Sequence, residues 1–256
     1  MNRLYPTSLP TSISHLVIRA PLIVVPIIIA ILLLGPGGEK MPEAVVTLCF
    51  DDGYSSVYEV AFPLLKQYHY PATVFVIPSV LGQKGYLTLN QLRILSNNGW
   101  EIGSHTWSHP NLTEISLEEV EKELKKSKEW LLDKGFKVYS FAYPYGAFNE
   151  EIIEKVKKYY KVARIGEGTF NDIPLSQEEI YTIKALDVNS SSIKDVDDIK
   201  AIIKKAKEEK KWLVLIFHRI NEEGFPKTSV SDKFLEEILK TLKEENFKGI
   251  KVEDIL

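Results

Sequence analysis

The hydrophobic residues of this chain fall into short runs, separated by polar stretches that carry a helical period. The runs VVTLCF, ATVFVI and WLVLIF are apolar at nearly every position, which is typical of strands buried on both faces. The stretches between such runs place apolar residues three and four positions apart, which predicts amphipathic helices. The predicted strands cover residues 45–50, 72–77, 100–103, 138–142, 161–165, 181–188, 212–217 and 249–252. The predicted helices cover residues 56–68, 88–96, 116–134, 150–160, 195–210 and 232–245.

The alternation of strands and helices indicates parallel β/α units. We therefore predict an α/β fold, a distorted or incomplete (β/α) barrel with about seven parallel strands. An open doubly wound sheet is the alternative. A barrel of this kind keeps its chemistry at the carboxyl ends of the strands. Because no glycine-rich phosphate loop follows any predicted strand, the sequence predicts no nucleotide site.

The densest apolar run, residues 20–34, has no charged or polar side chain. As a helix it is about 22 Å long, which is short for a bilayer core of about 30 Å. Residues 16–18, Gly35 and a snorkelling Arg19 bring the span near the roughly 20 residues that a membrane helix needs. We therefore predict one N-terminal membrane helix ahead of the barrel, at about residues 16–35.

Basic residues precede the apolar run: Arg3 and Arg19 come before it, and the first acidic residue is Glu39. This bias places the N-terminus in the cytoplasm and the rest of the chain outside. We predict that residues 1–42 form a cytoplasmic stub, a transmembrane or signal segment and a linker. Residues 43–256 then form a domain that the membrane helix anchors outside the cytoplasm. A cleaved signal peptide, which would lead to secretion, and a buried core helix are the alternatives.

The composition argues against some kinds of binding partner and some kinds of metal site. The 256 residues include 32 basic and 35 acidic side chains, and the net charge of −3 gives no reason to expect a nucleic-acid partner. A hydrophobic content of 45% is sufficient for a globular core. The single cysteine excludes an internal disulfide and a cysteine-cluster zinc site.

Polar side chains collect where the predicted strands end. Each has an ordinary interpretation by itself, since Asp-Gly is a turn signal and a histidine after an apolar strand can belong to the core. Their coincidence at the edge where a barrel carries its chemistry favours a functional site. These residues are Asp51, Asp52, His105, His109, Tyr143, Tyr145, Asp187 and His218.

Two histidines and one carboxylate bind a divalent ion and leave a position for water, which is the pattern of catalytic zinc sites. The metal acidifies that water and polarises a carbonyl. A second carboxylate beside the site can act as a base, and a histidine across from it as an acid. The same ligand set also occurs in ferrous oxygenases, but the second carboxylate and the β/α alternation argue against that class.

Three segments resemble motifs of the polysaccharide deacetylases, the NodB-homology or carbohydrate esterase family 4 domain. The motif T-F-D-D-G appears as Cys49-Phe50-Asp51-Asp52-Gly53, H-[ST]-x-x-H as His105-Thr106-Trp107-Ser108-His109, and L-x-I-x-L-H as Leu213-Val214-Leu215-Ile216-Phe217-His218. The resemblance extends over residues 45–252. It implies a barrel fold with one divalent metal ion, Zn²⁺ in the first place and Co²⁺ or another divalent ion as the alternative.

The resemblance also implies the role of each matching residue. Asp51 is the general base and His218 the general acid. Leu215 helps to line a pocket for the acetyl methyl group. The metal ligands that it implies are Asp52, His105 and His109.

Two motifs depart from the family pattern. R-x-P-Y appears as Ala142-Tyr143-Pro144-Tyr145, so the backbone N–H of Tyr145 can still stabilise an oxyanion, but the arginine that pairs with the base is missing. A base without that cation has a higher pKa, other things being equal. We predict that Arg164, at the end of another strand, replaces it. The motif D-x-x-D-W is barely recognisable, and Asp187, without the tryptophan, is the predicted partner of His218.

The resemblance predicts a hydrolase that removes N-acetyl groups from an amino-sugar glycan. Trp107 and Tyr143, together with Tyr54 and Tyr145, are the predicted surfaces for sugar stacking. The missing arginine leaves open a non-catalytic carbohydrate-binding domain. A deformylase or amidase that acts on a lipid-linked sugar or on another non-polymer amide is a further alternative.

Overall fold

The structure, a computed structural model, describes residues 44–189, 193 and 195–256. Its strands are β1 (Val45–Phe50), β2 (Thr73–Val76), β3 (Glu101–Ser104), β4 (Ser140–Ala142), β5 (Val162–Arg164), β6 (Phe170–Asn171), β7 (Leu186–Asp187), β8 (Trp212–Phe217), β9 (Arg219–Ile220), β10 (Ser229–Val230) and β11 (Lys248–Gly249). Its helices are α1 (Phe62–Tyr68), α2 (Leu89–Asn97), α3 (Leu117–Asp133), α4 (Glu150–Lys157), α5 (Val196–Glu208) and α6 (Asp232–Glu244).

The main sheet runs in the order β5-β4-β3-β2-β1-β8-β6, with β11 beside β1 and β7 beside β8. Every pair in this sheet is parallel except β6, which runs antiparallel to β8. Strand β1 is central, since all six of its residues pair with β8 and its last two also pair with β2. The predicted α/β fold, an incomplete barrel with about seven parallel strands, is confirmed as a curled half-barrel sheet that is mostly parallel.

A short segment joins the two sides of the curled sheet. Ile183 forms a parallel bridge with Arg164 of β5, and Leu186 and Asp187 pair with β8 a few residues later. The segment therefore contacts one edge strand and the strand beside β1. In consequence, the carboxyl ends of β1, β3, β4, β5, β7 and β8 border the same space.

Two helix starts follow their sequence signals. Thr88 and Gln91 form a capping box before α2, and Ser116 and Glu119 form one before α3. Past the end of α3, Gly135 adopts a φ of 89°, which a residue without a β-carbon adopts at low cost. These signals explain why the predicted and observed bounds of α2 and α3 agree within two residues.

A buried carboxyl group closes the amino end of the sheet, opposite the predicted site. Glu101 at the start of β3 accepts hydrogen bonds from Thr73 and Ser140, which begin β2 and β4. It also accepts one from the backbone N–H of Glu253, in the C-terminal turn, at 3.0 Å. Burial raises the pKa of Glu101 to about 7.

The structure departs from the predicted elements in several places. The predicted strand 181–188 is reduced to β7, because Tyr181 ends a 3₁₀ helix at Glu179–Tyr181 and Ile183 forms an isolated bridge with Arg164. The predicted strand 249–252 is replaced by β11 and a 3₁₀ helix at Val252–Ile255. Strands β6, β9 and β10 were not predicted, since two residues are too few to show a period.

The predicted membrane segment at 16–35 lies outside the described residues. Within the part of the chain that the structure does describe, none of the helices has both the length and the apolar character to cross a bilayer.

Candidate active site

The first two site residues follow β1 directly. Asp51 continues the strand with a hydrogen bond from its backbone N–H to the Phe217 carbonyl at 2.9 Å, which leads its side chain into the space between the strand ends. Asp52 then adopts a φ of 67° and Gly53 a φ of 77°, so the chain reverses sharply. Both carboxylates stay buried, with 4% of Asp51 and 9% of Asp52 exposed.

The two motif histidines lie on a tight loop after β3. The backbone N–H of His105 bonds the Val76 carbonyl at 3.0 Å, and that of His109 bonds the Thr106 hydroxyl at 2.9 Å. His105 Nδ1 lies 2.8 Å from the Ala142 carbonyl, which can only accept, so Nδ1 carries the proton. Nε2 of His105 therefore keeps its lone pair for a ligand.

Asp52, His105 and His109 form a three-atom cluster. Asp52 Oδ1 lies 3.6 Å from His105 Nε2 and 3.4 Å from His109 Nε2, and the two Nε2 atoms are 3.1 Å apart. Ligands of a tetrahedral zinc ion at about 2.0 Å stand about 3.3 Å from one another, so the spacing fits such an ion.

The protonation state of His105 and the unpaired oxygen of Asp52 are also those that a metal site requires. Burial lowers the pKa of His105 to about 4, which leaves its ring neutral near pH 7. Asp52 Oδ1 is buried without a hydrogen-bond partner among the described residues. An orphaned buried carboxylate oxygen is costly, and a cation would satisfy it.

Arg164 lies against Asp51. Its Nη2 donates to Asp51 Oδ1 in a buried ion pair, and only 1% of the arginine is exposed. Arg164 is also the register partner of Ala142, the position that lacks the family arginine. Its guanidinium carbon lies 4.9 Å from the centre of the Phe75 ring, so it passes over β2 on its way to β1.

The arginine changes the expected acidity of the base. Burial alone raises the pKa of Asp51, but the charge of Arg164, the largest opposing influence, holds it below its ordinary value. The expectation of a raised pKa, which followed from the missing arginine at Ala142, is therefore corrected by the cation that Arg164 supplies from the neighbouring strand.

His218 and Asp187 end adjacent strands on the far side of Asp51. Nδ1 of His218 is buried and has no hydrogen-bond partner among the described residues. Burial raises the pKa of Asp187, while the charge of His218 lowers it, so the two groups interact electrostatically. Asp187 Oδ1 accepts instead from the backbone N–H of Asn189 at 2.8 Å. The structure therefore brings the predicted pair together without a direct hydrogen bond.

Two of the predicted substrate-binding residues lie in the core. Leu215 is fully buried in the apolar cluster, pairs in register with Leu48, and by strand alternation faces away from His218. Tyr143 is 1% exposed and packs against Phe141, so a sugar cannot stack on its ring. The structure thus contradicts the predicted pocket role of Leu215 and the predicted stacking role of Tyr143.

The other predicted rings border the site differently. Tyr145 is 71% exposed, and its ring meets that of His109 edge to face with centres 4.6 Å apart. Trp107 is half-buried, with Lys126 Nζ 3.9 Å from its ring centre. Tyr54 is buried and stacks on Tyr86. Of these rings, Tyr145 presents the most open surface next to a predicted metal ligand.

Four of the eight described non-glycine residues with a left-handed φ lie at the site. Asp52, Thr106, His109 and Tyr145 all adopt φ values between 60° and 67°, a region that side chains with a β-carbon rarely enter. Such conformations persist where the surrounding contacts determine them, and they cluster at functional sites.

Part of the chain matches a known protein family. The family model described as polysaccharide deacetylase matches residues 38–162. The matched segment, somewhat less than half of the chain, is similar to the polysaccharide deacetylase family. The matched segment contains β1 to β4 and all three residues of the cluster, whereas Arg164 and His218 lie beyond it.

Relatives with curated names match about half of the chain. YxkH of Bacillus subtilis is 35% identical over 122 residues, which are 47% of this chain and 43% of YxkH. A poly-beta-1,6-N-acetyl-D-glucosamine N-deacetylase of Staphylococcus aureus is 33% identical over 135 residues, 46% of each chain. The chain thus spans somewhat less than half the length of these relatives.

Solved structures share the fold. The Xyl-CE4 domain of a multidomain xylanase from the hindgut metagenome of Trinervitermes trinervoides aligns with a TM-score of 0.61 and 21% identity, over 82% of this chain and 88% of that one. The Streptococcus pyogenes deacetylase PplD, solved with acetate, aligns with a TM-score of 0.53 and 29% identity, over 59% of this chain and 67% of PplD.

Proposed function

We propose that this domain is a metal-dependent hydrolase that removes N-acetyl groups from an amino-sugar glycan. The observation that carries the proposal is the buried ion pair of Asp51 and Arg164 beside the Asp52, His105 and His109 cluster. Asp51 Oδ2 lies 3.9 Å from His105 Nε2, next to the cluster but not part of it. A purely structural metal site would not need this second carboxylate with its own cation.

Asp52, His105 and His109 would hold the ion, for which we propose Zn²⁺, with Co²⁺ or another divalent ion as the alternative. When bound, such an ion acidifies a water ligand and polarises the acetamide carbonyl. The hydrogen bond of His105 to the Ala142 carbonyl fixes the tautomer and the ring orientation that ligation requires.

The remaining residues move or hold protons. Asp51 takes the proton of the attacking water through its carboxylate, and Arg164 keeps that carboxylate ionised. His218 gives a proton to the leaving amine of the sugar. Asp187, on the strand that pairs with β8, is the proposed partner of His218. The backbone N–H of Tyr145 would stabilise the oxyanion that forms on the carbonyl oxygen.

The names of the relatives support a polymer of N-acetylglucosamine as the substrate. The Staphylococcus aureus relative is named for a β-1,6-linked polymer, so we propose oligomers of this kind as the first substrates to test. A sugar that enters beside His109 meets the open ring of Tyr145, which is suited to stacking.

The experiment measures acetate release from a panel of N-acetylated glycans, with metal content determined in parallel. The panel includes β-1,6- and β-1,4-linked N-acetylglucosamine oligomers and peptidoglycan, with formylated and lipid-linked sugars for the deformylase or amidase alternative. We expect acetate release that a chelator abolishes and zinc restores. Binding of an oligomer without acetate release would instead support a non-catalytic domain, and oxygen consumption with a 2-oxo acid would support an oxygenase.

We also propose that residues 16–35 anchor the domain to the membrane, with the catalytic part outside the cytoplasm, as the apolar run and the preceding arginines suggest. Fractionation of cells that express the full chain with a C-terminal tag tests this proposal. An anchored protein stays with the membrane and is open to protease from outside. Tagged protein free in the medium would support secretion after cleavage.

A further inference from the structure

The loop that carries His105 and His109 is tied to helix α3 by one carboxylate. Glu123 Oε2 accepts the backbone N–H groups of Trp107 and Ser108, both at 2.8 Å. Glu123 Oε1 accepts the Ser108 hydroxyl at 2.7 Å. Three hydrogen bonds to one ionised group are strong and set both the position and the tilt of the loop.

These contacts fall between the two histidines, where the backbone is strained. Thr106 and His109 adopt left-handed φ values of 64° and 65° on either side of the residues that Glu123 holds. Without an outside acceptor, the amide groups of Trp107 and Ser108 would be free to turn toward water. The loop could then relax toward ordinary backbone angles, which would move the His109 ring.

Helix α3 also contacts the side chain of Trp107, which lies within the loop. Lys126 lies one turn beyond Glu123 and places Nζ 3.9 Å from the centre of the Trp107 ring. Trp130, a further turn along, meets the same ring edge to face with centres 6.4 Å apart. One face of α3 therefore contacts the loop twice. Glu123 binds its backbone, and Lys126 and Trp130 pack against the Trp107 side chain.

We infer that Glu123 is a positioning residue of the metal site, which sets the distance between the histidine ligands from outside the cluster. This inference rests on the proposed metal site and adds to it a residue of the helix layer that touches neither metal nor substrate. Groups that orient metal ligands contribute about 10–100-fold to metal affinity. We expect the Glu123→Ala variant to bind zinc about tenfold more weakly than wild type.

The test measures zinc affinity by titration calorimetry, together with the Tm of chelated and zinc-loaded protein, on the full chain. Glu123→Gln keeps an acceptor for the two amides and a group that can bond the Ser108 hydroxyl, so its affinity should lie much closer to wild type. Glu118→Gln is the matched control, since Glu118 lies on the same helix and forms an exposed ion pair with Lys122 at 2.6 Å. Its affinity should equal wild type.

The Ser108→Ala variant provides a second route if Glu123→Ala does not fold. It removes the hydroxyl bond alone, so it should bind zinc more weakly than wild type, and more tightly than Glu123→Ala where that variant folds. If Glu123→Ala folds, adding Ser108→Ala to it should not weaken zinc binding further, because the Ser108 hydroxyl has already lost its Glu123 partner.

The outcomes separate this inference from the proposed function. A merely structural bond would lower the Tm of chelated and zinc-loaded protein equally and leave the zinc affinity of every variant at the wild-type value. That result overturns the positioning role while the metal site stands. Wild-type protein that takes up no zinc would overturn the proposed function and this inference together.

Discussion

Arg164 stands directly beside Ala142 in the register of β5 and β4, and its guanidinium pairs with Asp51 at the end of β1. The guanidinium crosses from the outer strand over the ring of Phe75, with its carbon 4.9 Å from the ring centre. The cation that the family motif carries on β4 is therefore supplied here from β5. The predictions about the base all depend on this relationship.

Replacing Arg164 should disable the base without emptying the metal site. In the Arg164→Met variant Asp51 loses its cation, so its pKa rises and the acidic limb of kcat/KM moves to higher pH. We expect kcat near neutral pH to fall about 10–100-fold, with zinc content unchanged. A pH profile of acetate release with metal analysis measures both effects. Wild-type turnover in this variant would remove Arg164 from the site.

Moving the arginine back to the family position should restore part of the activity. The double variant Ala142→Arg with Arg164→Ala again places one guanidinium near Asp51, so its kcat should exceed that of Arg164→Ala alone. Ala142→Arg alone is the control. It buries two guanidinium groups beside one carboxylate, and we expect a lower Tm than wild type. Equal kcat values for the double variant and Arg164→Ala would contradict the idea that an arginine at either position can serve Asp51.

Asp52 should contribute strongly to zinc binding and little to the stability of the metal-free protein. Its Oδ1 has no hydrogen-bond partner among the described residues, and asparagine tolerates the φ of 67°. Chelated Asp52→Asn should therefore be at least as stable as chelated wild type. Zinc at 100 times its Kd should stabilise wild type by about 2.7 kcal/mol and the variant by far less. Equal zinc-induced shifts in Tm would exclude Asp52 as a ligand.

The buried Glu101, at the opposite end of the sheet from the site, should make the stability of the protein depend on pH. The pKa of Glu101 is about 7 in the folded protein, against the ordinary value of 4.5. A raised pKa contributes stability that is complete below about pH 4.5 and is lost as the pH rises through about 7. Between pH 5 and 8, Glu101 should therefore lower the free energy of unfolding by about 3 kcal/mol. Glu101→Gln should remove this loss in urea unfolding experiments, and an unchanged pH dependence would contradict the assignment.

The central strands of the sheet and the cluster of Asp52, His105 and His109 could be predicted from the sequence. Apolar runs such as Trp212–Phe217 are typical of strands covered on both faces, and the spacing of His105 and His109 can be read directly from the sequence. A carboxylate and two histidines at strand ends meet because parallel strands end at one edge.

Other features depend on contacts that local sequence does not encode. The path of Arg164 over Phe75 requires the curl of the sheet, and only the small residue at Ala142 hinted at it. Glu123 resembles every other glutamate on α3 until the loop is folded against it. The assignment of Leu215 and Tyr143 to the substrate pocket was wrong because motif position alone does not tell which face a side chain takes.

The most direct test of the proposed reaction is acetate release by the Asp51→Asn variant with its zinc content measured on the same sample. Asparagine keeps the shape of the side chain but cannot take a proton from water. We predict that the variant retains the wild-type zinc content and releases acetate from N-acetylglucosamine oligomers about 10²–10⁴-fold more slowly than wild type. Release at the wild-type rate with zinc bound would contradict the role of Asp51 as the base.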